Sequence, residues 1–126
     1  MNKQNPRIIS ATTLIGDPVH NSQGENLGEL KELMIDMNSG TVSYAVLSFG
    51  GFMGLGDKLF AIPWQAFSLD ADRHALVLNV DKETLENASG FDKDHWPETT
   101  EDDDSWLTDV YRHYGYGPYW NTPMMV

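Results

Sequence analysis

Ile35-Asp36-Met37-Asn38-Ser39-Gly40-Thr41-Val42-Ser43-Tyr44-Ala45-Val46-Leu47-Ser48-Phe49 is the stretch on which the fold turns. Side chains alternate across a strand, so Val42, Tyr44 and Val46 share one face while Ala45, Leu47 and Phe49 share the other. Both faces are apolar, which predicts a strand covered on both sides, as in a barrel. Just ahead of it, Asn38 and Gly40 tolerate positive φ, so a hairpin joins this strand to the run before it.

Outward from the hairpin the same texture continues. Residues 58–64 and 75–80 read as further strands, with Leu76, Leu78 and Val80 alternating against Val77 and Asn79, and Asp70-Ala71-Asp72-Arg73-His74 forms the turn into the second. Upstream, the reading divides. Leu27, Leu30, Met34 and Met37 recur at helical spacing, whereas Leu33, Ile35 and Met37 alternate as in a strand, and Gly28 weakens a helix by about 1 kcal/mol relative to Ala. Periodicity leaves that segment open.

After Val80 the pattern changes. Asp81 caps a short helix running to about Ala88, with Gly90 as its stop. Residues 92–104 form an acidic connector. Ser105 then opens an amphipathic helix whose Leu107, Tyr111 and Tyr114 fall at i, i+4 and i+7. Asp102, Asp103 and Asp104 stand at its positive end, Arg112 and His113 at its negative end, and Gly115 caps it.

The segment from about Ser10 to Gly90 resembles the PRC-barrel domain family. The resemblance is carried by Leu14-Ile15-Gly16, by Gly24-Glu25-Asn26-Leu27-Gly28-Glu29-Leu30, by Ile35-Asp36 with Gly40-Thr41-Val42-Ser43-Tyr44-Ala45-Val46, and by Phe60-Ala61-Ile62-Pro63-Trp64. That family's domain occurs in the H subunit of purple-bacterial reaction centres, in the C-terminal half of the ribosome maturation factor, and in small stand-alone bacterial proteins. Gly90-Phe91-Asp92-Lys93-Asp94-His95-Trp96-Pro97, Tyr114-Gly115 and Pro118-Tyr119-Trp120 are similar to tails of the stand-alone branch. The resemblance implies a mainly β fold, a small barrel with short C-terminal helices. It also implies a bent strand over the undecided segment and a non-catalytic adaptor module. Neither the membrane helix of the reaction-centre subunit nor the second barrel of the maturation factor has a counterpart, so those roles do not transfer. The expected organisation is a PRC-barrel domain over residues 8–90, then connector, amphipathic helix and aromatic tail over 91–126.

Composition bounds the function. The chain has 126 residues, 8 Lys and Arg against 19 Asp and Glu, and a net charge of −11, which repels phosphate backbones; no nucleic-acid partner is expected. Cysteine is absent, removing disulfides, thiolate metal sites and cysteine nucleophiles. With no signal-peptide core and no apolar run approaching the roughly 18 residues of a membrane helix, a cytoplasmic protein without membrane insertion is expected.

Catalytic patterns fail on inspection. Gly50-Gly51-Phe52-Met53-Gly54-Leu55-Gly56-Asp57-Lys58 departs from a phosphate loop because Asp57 and Lys58 stand where Lys and Ser or Thr are required. It reads as a hairpin loop with an apolar tip. No G-x-S-x-G is present. His20, His74, His95 and His113 form no metal-binding pair, Asp70, Asp72 and His74 being the nearest local set. Hence no catalytic residue, metal or cofactor is expected. What stands out is aromatic: Trp96, Trp106, Tyr111, Tyr114, Tyr116, Tyr119 and Trp120 crowd the tail, where they cover the barrel or form an interface.

The expected function is a self-associating interaction module, a homodimer or larger, for an unidentified protein partner. Its candidate surface is Phe52, Met53 and Leu55 with Trp96, Trp106, Tyr111, Tyr114, Tyr119 and Trp120. The alternative is a small-ligand or metal-binding protein tied to stress response or electron-transfer assembly, using residues 50–58 or the His-bearing turns.

Overall fold

The computed structural model describes residues 5–49, 58–70, 75–100 and 103–121. One helical turn, α1 (Ala11–Leu14), leads into β1 (Pro18–His20), β2 (Asn26–Asp36), β3 (Thr41–Phe49) and β4 (Lys58–Pro63). A 3-10 turn, Trp64–Ala66, makes the corner into β5 (Phe67–Asp70) and β6 (Ala75–Leu78); α2 (Lys82–Glu86) and α3 (Ser105–His113) follow. The six strands form one sheet in the order β4-β3-β2-β1-β6-β5. All pairings are antiparallel except β1 with β6, where Val19 sits opposite Leu76.

The mainly β expectation holds, and the helices are short. Barrel closure does not appear: among the described residues no ladder joins edge strands β4 and β5, and the sheet is open. It nevertheless coils. Leu27 and Leu30 from β2, Leu47 from β3, Phe60 and Ile62 from β4, and Leu76 and Leu78 from β6 meet in one buried cluster, which Leu14 and Leu85 cap from the helices.

The divided segment is a bent strand. Its ladder skips at Leu27 opposite β1 and at Lys31 opposite β3, each an extra residue in β2, whereas the skip past Met34 places the extra residue, Ser43, in β3. Extra residues stretch the strand's period from two towards three, so Leu27, Leu30 and Leu33 all reach the main core with a spacing that imitates a helix. The β2–β3 hairpin follows as expected, with Gly40 at φ 74° and its N–H bonded to the Asp36 carbonyl at 2.8 Å.

The doubly apolar β3 has a different cause from the one expected. Ala45, Leu47 and Phe49 enter the main core, while Tyr44 and Val46, with Leu59 and Ala61 of β4, form a second buried cluster with Leu107 and Tyr111 of α3. The outer face is therefore covered by the chain's own C-terminal helix. Asp81 caps α2 as expected, accepting from the Thr84 amide at 2.7 Å. Gly90 acts otherwise than as a helix stop: a Cβ there would stand 2.8 Å from the Leu59 carbonyl oxygen, and its absence lets Phe91 exchange two backbone hydrogen bonds with Leu59 along the β4 edge.

Candidate interaction cleft

The C-terminal segment is positioned by α3. Its end is a Schellman motif: Gly115, at φ 86°, donates to the Arg112 carbonyl at 3.0 Å, and the Tyr116 amide reaches back to Tyr111 at 2.9 Å. That reversal returns the chain across the outer face of the sheet. There Tyr119 and Trp120 pack against Tyr111, with ring centroids 5.8 and 5.1 Å away.

Two carboxylates hold the returning chain. The Tyr119 hydroxyl donates to Asp36 Oδ2 at 2.6 Å, and the Trp120 indole N–H donates to Asp104 Oδ2 at 2.7 Å. Asp104 thus serves the tail rather than capping α3 with its side chain; it is Asp103 whose Oδ1 accepts from the Ser105 amide and hydroxyl. Between the hairpin, the connector and the tail lies a cleft of about 510 Å³ that includes Asp36, Met37, Tyr44, Asp104, Tyr119 and Trp120 in its lining. At its rim Ile35 is 58% and Met37 93% exposed.

The Tyr119 hydroxyl, and after it the Asn38 amide, hold the Asp36 carboxyl below its ordinary range. A carboxyl lowered on folding adds stability above its unfolded pKa, about 3.9, and loses that contribution as pH falls through the lower folded value. The tail contact is accordingly expected to weaken only in that acid window. Thermal melts of wild type and Asp36→Asn should differ in slope there and run parallel above it; parallel curves throughout would remove the linkage.

The expected surface is distributed unevenly. Tyr111 is fully buried, and burial raises its hydroxyl and that of Tyr114 far above the usual tyrosine range. The Tyr114 hydroxyl has no hydrogen-bond partner among the described residues. Trp106 stacks edge-on to Tyr44 at 5.5 Å and Trp96 to Phe91 at 5.1 Å, both half-buried. Among the described residues of that set, only Tyr119 and Trp120 line the cleft. Phe52, Met53 and Leu55 lie outside the described residues, as do Asp72 and His74. His95 bonds Asp92 at 2.7 Å, and His113 bonds the Thr84 carbonyl at 3.0 Å. Among the described residues no group of three or more His, Asp or Glu is placed to hold a metal ion.

Sequence reasoning passed over Ile35, Met37, Asp36 and Asp104, the hairpin and cap residues that complete the cleft. Exposed apolar Met37 in a tight turn was the available signal. A second concavity, about 360 Å³, lies at the opposite end of the sheet order between Ile8, Ile9, Leu14 and Leu69.

The PRC-barrel domain family model matches residues 6–85. The match stops short of the connector, so Asp104, Tyr119 and Trp120 lie beyond it. No curated protein matches the chain. Among the described residues no helix is long and apolar enough to cross a membrane.

Proposed function

The chain belongs to the PRC-barrel domain family, and from that premise we propose that it is a non-catalytic, cytoplasmic adaptor that self-associates and binds a protein partner. The observation that carries this reading is the cleft. Exposed Ile35 and Met37 flank half-buried Tyr119 and Trp120, and apolar and aromatic groups gathered at a concave surface mark interaction sites. The same premise has the coiled sheet close into the family's barrel. Self-association draws support from a separate apolar surface, Ile8 at 92% exposure with Ile9 and Leu69, beside edge strand β5.

Native mass spectrometry of complexes purified gently from the protein's own cells tests both parts. Wild type is expected as a homo-oligomer carrying a partner. Met37→Lys combined with Ile35→Thr should keep the oligomer and lose the partner; both sites are exposed, so stability should change by no more than about 0.5 kcal/mol. Leu69→Lys should keep the partner and become monomeric. A stoichiometric small-molecule or metal adduct in place of a protein would overturn the adaptor reading in favour of a ligand-binding one.

A further inference from the structure

The cleft also specifies the chemistry of its occupant, an inference that rests on the interaction reading above. Its charged lining is of one sign: Asp36 and Asp104 contribute carboxylates, and among the described residues none in its lining is Lys, Arg or His. The donors that these carboxylates hold, the Tyr119 hydroxyl, the Asn38 amide and the Trp120 indole, are neutral. Neither Asp36 nor Asp104 forms an ion pair among the described residues, so both charges stay uncompensated at the cleft. Three rings, Tyr44, Tyr119 and Trp120, line the same space, with Tyr119 and Trp120 meeting at 85°. The faces of aromatic rings attract cations, and a net charge of −11 adds a field of the same sign.

We infer that the cleft receives a lysine or arginine side chain from a basic segment of the partner protein. The alkyl stem lies along the apolar wall that includes Met37 and Leu107. The cationic head stands among the rings and the two carboxylates. The long basic side chain suits this mixture because its stem is apolar and its tip is charged.

The test uses the full chain labelled with 15N, titrated with blocked pentapeptides of glycine that differ only at the centre: arginine, lysine, citrulline or glutamate. The arginine and lysine peptides are expected to move the Trp120 indole and Tyr44 amide signals saturably. Asp36→Asn together with Asp104→Asn preserves an acceptor oxygen for Tyr119 and Trp120 while removing both charges. This variant should keep its spectrum dispersed and bind the same peptides roughly tenfold more weakly. Equal shifts with citrulline would overturn the inference, because the cleft would then read shape rather than charge. Shifts spread over acidic residues throughout the chain without saturation at Trp120 would overturn it as well, as general attraction. Silence with every peptide, combined with partner loss in the Met37→Lys and Ile35→Thr variant, would overturn the inference and leave the interaction reading standing. If that variant also keeps the partner, the interaction reading itself fails.

Discussion

Tyr111→Ala is expected to destabilise the protein by about 3–5 kcal/mol and to lower Tm by roughly 10 °C or more. Among the described residues Tyr111 is the largest fully buried side chain, and its ring fills the space between α3 and the outer face of β3 and β4. Its hydroxyl donates to the Ser43 carbonyl at 2.5 Å and lies 3.1 Å from Gln65 Oε1, so one residue ties the C-terminal segment to both a central strand and the corner turn. Removing the ring leaves a cavity beneath Tyr119 and Trp120 and an unpaired carbonyl. The tail then loses its anchor and uncovers Tyr44, Val46 and Leu59. Melting curves recorded with a dye that reports exposed apolar surface would show the dye binding well below the wild-type Tm. Tyr111→Phe keeps the packing and loses only the hydrogen bonds, for which about 1–2 kcal/mol is expected. An alanine variant as stable as the phenylalanine one would mean that the tail contributes little to the fold.

Gly28→Ala should cost about 2–5 kcal/mol, the sum of backbone strain and collision. Gly28 has φ 118°, and a Cβ there would run into the Ser48 carbonyl oxygen, with the Ser48 carbonyl carbon 3.0 Å and Phe49 Cα 3.2 Å away. These are backbone atoms of the neighbouring strand and cannot swing aside. Relief therefore requires β2 to part from β3 next to the Glu29–Ser48 pair, at the point where β1 also joins. Gly24→Ala is the control: φ is again positive, at 83°, but a Cβ there meets open space, and strain alone costs about 1–2 kcal/mol. Urea unfolding of the pair separates the two terms, and equal losses would exclude the collision.

The hairpin at residues 36–41, the α2 cap, α3 and its glycine reversal were all legible, because each depends on local chemistry: a φ that glycine accepts, a carboxylate one turn from an amide, an apolar stripe at helical spacing. The short strands β1 and β5 were not. Pro18–His20 and Phe67–Asp70 are too brief for alternation to register, and they become strands only because β2 and β6 pair with them. Bulges concealed β2 by imposing a false period. For the cleft, the rings of Tyr119 and Trp120 could be noticed from composition, but their carboxylate partners could not. Asp36 and Asp104 lie in a turn and a connector where acidic residues ordinarily face water, and only the reversal after Gly115 brings the tail back to them.

The parallel pairing of β1 with β6 governs how this chain reaches its fold. Strands β2, β3 and β4 are sequence neighbours, and the short β2–β3 turn closes at little entropic cost, so the hairpin can form early. The β1–β6 pairing has no such local route: Val19 finds Gly28 of β2 close in sequence but must wait for Leu76, with the whole meander and the corner turn between them. Contacts of such long sequence separation are slow to form. During synthesis the first strand therefore emerges long before its parallel partner, and the apolar residues of β2 depend on β1 and the hairpin for protection until β6 arrives.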